Sequence, residues 1–310
     1  MISETGRIPH HDLFLFTTAE FPFYWVNYEW LFGIFIWKFQ EIGGDVLLCV
    51  LQAALVTATF GLFCLYNARM GVGPWLNICV AWLAFVVAEF RIELRPHLIT
   101  GLFYVAVLNL AVAETPRRWR ILTPLIFLAR PNIHIEFSIG LFMLLLIMAG
   151  DAYDRRRPDE VKFNAAVFAA SALATFCNAS GPWLYAYVLG HQRRTDMIFQ
   201  IEELKRPGLD WLWSPGGALL VGAWLAWTLA HRRRSRDLLL LLLVSVLAFT
   251  MVRFRFNLAL IGGCVLATSL ATFVRVPRAL RMAAASAIFL IIGLRVVSAG
   301  IPTLGFDHGL

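Results

Sequence analysis

The chain has 310 residues, 59% hydrophobic and 15% charged, with a formal net charge of +7. Soluble domains carry about 25% charged residues, so this balance argues against a soluble enzyme and for a chain whose apolar surface lies in lipid. The positive charge is nearly all arginine, set in short clusters between apolar runs, a pattern that orients a membrane protein rather than one that grips nucleic acid.

The chain opens on a polar, aromatic stretch, residues 7–30, holding His10, His11, Asp12 and Glu29. It lacks the layout of a secretory signal and predicts an extramembrane loop capping a membrane-embedded cavity. Residues 31–39 predict a short interfacial helix that Gly43-Gly44 ends. Apolar runs then predict spans near 46–66, 75–88, 98–113, 121–129, 138–149, 163–177, 218–230, 238–251, 258–274 and 283–298. The expected fold class is therefore all-α: a polytopic transmembrane bundle of about ten spans. Several runs are shorter than the ~20 residues a bilayer needs, as helices around a polar cavity are. The spans divide one integral membrane domain into a non-cytoplasmic loop and interfacial helix (1–45), a first helix group (46–177), a second non-cytoplasmic loop (178–215) and a second helix group (216–310).

Fifteen of the 27 lysines and arginines fall in alternate short connections, around Arg69, 117–120, 155–162, 232–236 and 275–281. The positive-inside rule makes that side cytoplasmic. The opening loop, FRIELRPH, RPNIHIEF, the 178–215 loop and VRFRFN then share the opposite face. The five cysteines are scattered through apolar runs without metal-ligand spacing, which indicates neither a disulfide framework nor a zinc site.

Candidate chemistry gathers on that face. Arg91 and Arg95 flank Glu93 where a helix leaves the membrane; the plain alternative is a snorkelling helix end, the functional one a planar fork for phosphate. Asn132 and His134 follow a proline inside an apolar region, where polar groups usually face a cavity; a packed, hydrogen-bonded pair is the plain reading. Arg253, Arg255 and Asn257 form RFRFN, arginines away from the basic hairpins that need an anion for a partner. Asp12 and Glu29 are candidates for catalysis or metal binding against the commoner role of surface acids. Asn178 and Tyr185 belong to a helix-breaking turn, and Glu202, Glu203, Trp211 and Trp213 to a loop that either lines a sugar site or rests on lipid.

In their order, GRIPHHDLFLFT, WVNYEWLF, RPHLIT, PNIHIEFSIG, NASGPWLYAY and RFRFNLALIG resemble a bacterial family of multi-pass proteins in the GT-C glycosyltransferase superfamily. The resemblance covers most of the chain. It implies a helix and an acidic segment ahead of Gly6-Arg7-Ile8-Pro9, so a shortened or inactive form lacking that helix is part of the expectation; Ile135 and Glu136 stand where the family tends to have glycines. It also implies a protein of the bacterial inner membrane that moves a sugar from a polyprenyl-phosphate donor to a glycan or lipid acceptor on the non-cytoplasmic face. Asp12 would be the base and Glu29 its support. Arg95, His134, Arg253 and Arg255 would hold the donor phosphate, with Asn132, Asn178, Tyr185 and Asn257 supporting. Some enzymes of this superfamily use a divalent metal, for which the sequence offers no ligand cluster. The alternative is a lipid or polysaccharide transporter or export-assembly subunit that makes no bond.

Overall fold

The computed structural model describes residues 2, 6–8, 27–155, 157–191, 202–231 and 233–273. Asp12, the expected span at 283–298 and the 275–281 connection lie outside them. The described residues are all-helical, with no strand. In chain order the helices are α1 (Trp30–Arg69), α2 (Pro74–Ala88), α3 (Pro96–Ala111), α4 (Thr123–Ala129), α5 (Phe137–Arg155), α6 (Pro158–Ala174), α7 (Trp183–His191), α8 (Pro215–Leu229), α9 (Ser235–Thr250) and α10 (Gly263–Leu270). Each apolar run inside the described residues forms helix. Three stretches, Trp30–Arg69, Pro74–Arg91 and Phe137–Arg155, are long and apolar enough to cross a membrane.

Local chemistry sets the boundaries. Proline opens α2, α3, α6 and α8, where its missing N–H costs nothing and its fixed φ suits the first turn. Ser214 caps α8 by accepting the Gly217 amide. The Asp154 carboxylate, at the end of α5, accepts the Ser235 amide at 2.9 Å and so meets the positive end of α9. α1 is kinked at Gly43-Gly44, where Gly44 takes φ 58° and ψ −156°, a conformation open essentially to glycine alone. Pro131 splits the region after α4 into a 3-10 turn, Arg130–Asn132, and an irregular link to α5.

The core centres on the last described helical segment. Every residue from 256 to 269 is buried, so this segment runs through the middle of the bundle. It includes a π-helical stretch, Leu258–Gly262. Small residues allow the close approach: a Cβ on Gly101 of α3 would stand 2.6 Å from the Phe256 ring. α1 packs on α3, α5 on α9, α4 on α6 and α8 on α10. Side-chain amides join the helices where apolar contact alone gives no driving force in lipid. Asn67 donates to Asn77 at 3.0 Å, and Asn109 donates to the Leu62 carbonyl at 2.9 Å. The outside carries Val46, Val50, Leu125, Leu173, Leu225 and Val246 exposed, a larger apolar surface than a water-facing monomer tolerates.

Both ends of this bundle are polar. α3, α5 and α9 each begin or end at one polar cluster and finish at the other: Arg95, Glu136 and Arg253 flank them at one end, Glu114, Asp151 and Arg236 at the opposite one. The 15 residue steps from Glu136 to Asp151 span about 22 Å at 1.5 Å per residue.

Candidate anion-binding hollow

At the first of these ends lies an open hollow of about 290 Å³. Its polar walls come mostly from chain breaks and helix ends, with Val188 of α7 closing one side. Tyr28 and Glu29 precede α1; Arg91 closes the 3-10 turn Glu89–Arg91; Arg95 and Pro96 begin α3; His134 and Glu136 come from the break before α5; Glu203 lies in the turn Glu202–Leu204; Arg253 lies in the turn Val252–Phe254. Proline and irregular backbone therefore concentrate where backbone and side chains can meet a polar space.

The guanidinium groups are in different states. Arg91 is buried and donates to Glu203 Oε2 at 2.8 Å. Arg95, largely exposed, meets Glu93 at 2.8 Å and the other Glu203 oxygen at 3.7 Å. Arg253 has no ion pair among the described residues, and its Nε is buried without a hydrogen-bond partner. Its guanidinium lies 4.9 Å over the Phe254 ring, and its charge is felt by the buried Glu136 carboxylate. A guanidinium this poorly satisfied beside a hollow is a place for an anion.

The acids differ as well. Glu29 stands 3.9 Å from His134 Nε2, and burial pushes its carboxyl up to about 7. His134 Nδ1 lies 3.1 Å from the Thr100 hydroxyl, and burial pulls the imidazole down to about 4, so it is neutral at pH 7 and adds no positive charge to the hollow. Glu136 is buried, and its carboxylate accepts the Tyr104 hydroxyl at 3.3 Å. Behind it Arg130, fully buried, lies 4.6 Å over the Tyr104 ring and donates to the Glu136 carbonyl at 3.3 Å. This second layer holds the break in shape.

Gly140 on α5 makes that layer possible, because a Cβ there would stand 1.7 Å from Arg130 Nη1. Gly140→Ala must displace the end of a buried guanidinium that stands over Tyr104 and bonds the Glu136 carbonyl. The expected loss is about 1–3 kcal/mol, read as a lower thermal midpoint of the purified protein; an unchanged midpoint would show that Arg130 can leave its place freely.

Of the sequence candidates, Glu29, Arg91, Arg95, His134, Glu203 and Arg253 line this one hollow. Arg255 does not. It lies 5.0 Å over the Trp211 ring, outside the lining residues, because two positions along a helical turn point to different sides. Asn132, Asn178 and Tyr185 are also outside the lining and serve as struts. Asn132 accepts the Trp30 indole N–H at 2.9 Å and donates to the Cys177 carbonyl. Asn178 donates to the Thr175 and Gly181 carbonyls within its own turn. The Tyr185 hydroxyl bonds Thr175, and its ring packs on Phe137. Asn257 sits one layer deeper, donating to the Tyr104 hydroxyl at 3.4 Å. Sequence reasoning overlooked His97, whose Nε2 bonds the Arg91 carbonyl at 2.8 Å, and the Arg130–Tyr104 pair; the available signal was charge and hydroxyl inside apolar runs. Among the described residues no three His, Cys, Asp or Glu side chains converge as ligands of a cation. Neither a family model, nor a curated protein, nor a solved structure matches this chain.

Proposed function

We propose that the chain is a multi-pass membrane protein of about ten spans with a GT-C-like layout, and that it transfers a sugar from a polyprenyl-phosphate donor at this hollow, on the non-cytoplasmic face of the bacterial inner membrane. The observation that carries the reading is the joint placement of Arg253, which makes no ion pair among the described residues, and Glu29, a carboxyl near neutrality, on one polar hollow at the end of apolar helices. The basic hairpins at 117–120 and 233–236 gather at the opposite end, as the positive-inside rule asks.

In this reaction the Glu29 carboxylate takes the proton of the acceptor hydroxyl. The hydroxyl oxygen forms a bond to the anomeric carbon as the bond from that carbon to the phosphate oxygen breaks. The electron pair leaves with the lipid phosphate, whose charge Arg253 and Arg95 stabilise.

Arg253→Ala removes a charge-assisted contact worth roughly 1.5–3 kcal/mol. The expected result is donor-lipid binding weakened roughly tenfold or more, measured by titrating a polyprenyl phosphate into the protein in nanodiscs. Unchanged affinity would reject the phosphate role.

A transporter is the second reading. It is favoured by interruptions in both helix groups, the break at Arg130–Asn132 and the π-helical Leu258–Gly262, since interrupted helices border transport sites. It requires lipid binding with no released lipid phosphate in any acceptor mixture.

A further inference from the structure

The contact that least fits an open polar hollow is the one Glu203 makes. Its two oxygens divide between Arg91 Nη1 at 2.8 Å and Arg95 Nη1 at 3.7 Å. The Arg91 side chain is 7% exposed, whereas Glu203 is 46% exposed. One partner is fixed in the wall, and the other reaches it from water. The turn that carries Glu203 is anchored beside Arg253, through the Val252 amide donating to the Lys205 carbonyl at 3.0 Å. The carboxylate can therefore swing out by side-chain rotation alone, without moving its backbone. Arg91 cannot follow it.

We propose that Arg91 and Arg95 form a second anion subsite, occupied at rest by the Glu203 carboxylate, and that a phosphoryl group enters by displacing it. A carboxylate split between two guanidiniums makes the contacts that two oxygens of a phosphoryl group make, with less charge. The exchange is feasible because the leaving carboxylate regains water, while a buried guanidinium left alone would be costly. Arg253 then supplies a separate positive group on the same hollow, so the site holds an anionic ligand at more than one point. This inference rests on the proposed function only in placing the ligand in this hollow; its chemistry concerns the fork alone. Glu203 acts as an internal competitor.

The probe is inorganic pyrophosphate, titrated into the full chain in nanodiscs and followed by calorimetry. Glu203→Gln keeps the shape of the side chain and removes the competing charge. Binding should tighten roughly fivefold, the equivalent of one partly exposed ion pair. Glu202→Gln is the control, because Glu202 also carries one negative charge on the same turn, yet pairs with Lys205 rather than with the fork and lies outside the lining of the hollow. It should change binding by less than about twofold. Arg91→Ala in the Glu203→Gln background should abolish the gain. Unchanged or weaker binding by Glu203→Gln overturns the proposal, as does an equal gain in Glu202→Gln, which would reflect bulk charge only. No pyrophosphate binding by any variant overturns it too. If the Glu203 effect stands while Arg253→Ala leaves polyprenyl-phosphate binding untouched, the transferase reading fails and the subsite survives.

Discussion

Glu29→Gln is expected to slow transfer by roughly 10²–10⁴-fold while donor-lipid binding stays within about twofold of the unmodified protein. The amide keeps the volume and accepts hydrogen bonds, but it cannot take a proton. The pH dependence gives a second readout. Because burial holds Glu29 near 7, the unmodified protein should gain activity about tenfold per pH unit up to neutrality and level off above it, and Glu29→Gln should lose that limb. A folding measurement checks the same shift without any substrate. A carboxyl raised in the folded state binds its proton more tightly there than in the unfolded chain. Stability therefore falls as pH rises from the ordinary carboxylate range through about 7, and this slope should flatten in Glu29→Gln. A fully active Glu29→Gln variant with an unchanged pH profile would remove Glu29 as the base.

The helices were largely readable in advance because lipid leaves the backbone few options. Apolar runs had to form helix, and Pro74, Pro96, Pro158 and Pro215 marked where helices start. Gly43-Gly44, expected to end a short first helix, instead kinks one that continues to Arg69; the steric reason for an interruption there needs no tertiary information. The site was readable as a set of chain breaks but not as a set of directions. Arg253 and Arg255 look equivalent in RFRFN, yet one faces the hollow and the other covers Trp211. The Arg91–Glu203 pair joins positions 112 residues apart, and nothing local to FRIELRPH indicates it. Composition also misleads at the opposite end. Arg232 to Arg236 read as one orienting cluster, but Arg236 is fully buried while Arg233 is exposed. A count of charges cannot separate a guanidinium that meets lipid phosphates from one that closes a core.

That difference sets the largest stability effect expected in the molecule. Arg236 Nη1 lies 2.9 Å from Asp151 Oδ1, its Nη2 lies 3.2 Å from Glu114, and its Nε faces Asp237 at 3.6 Å. The acids come from α5, from the connection after α3 and from α9 itself, so one guanidinium ties three parts of the bundle together. The start of α9 is pressed against α5 at this point: a Cβ on Gly150 of α5 would stand 2.3 Å from the Arg236 backbone nitrogen. Arg236→Met keeps most of the volume but strands these carboxylates, and should cost about 3–5 kcal/mol. Arg233→Met, on the exposed part of the same hairpin, should stay within about 0.5 kcal/mol. Adding Asp151→Asn to Arg236→Met should recover part of the loss, since it removes a charge that has lost its partner. The readout is the folded fraction surviving a fixed heating step in detergent. Acid provides an independent check. Burial alone would raise the Glu114 carboxyl, but the hydrogen bond and charge of Arg236 outweigh it and bring the group down to about 2. A lowered carboxyl stabilises the fold above its ordinary range, and that contribution is lost as pH falls toward 2. The unmodified protein should therefore lose stability in acid more steeply than Arg236→Met, in which Glu114 keeps only the partly exposed Arg155, 3.2 Å away. Equal heat survival of Arg233→Met and Arg236→Met would mean that the buried cluster contributes no more than a surface charge does, and that the two ends of the bundle are held by apolar packing alone.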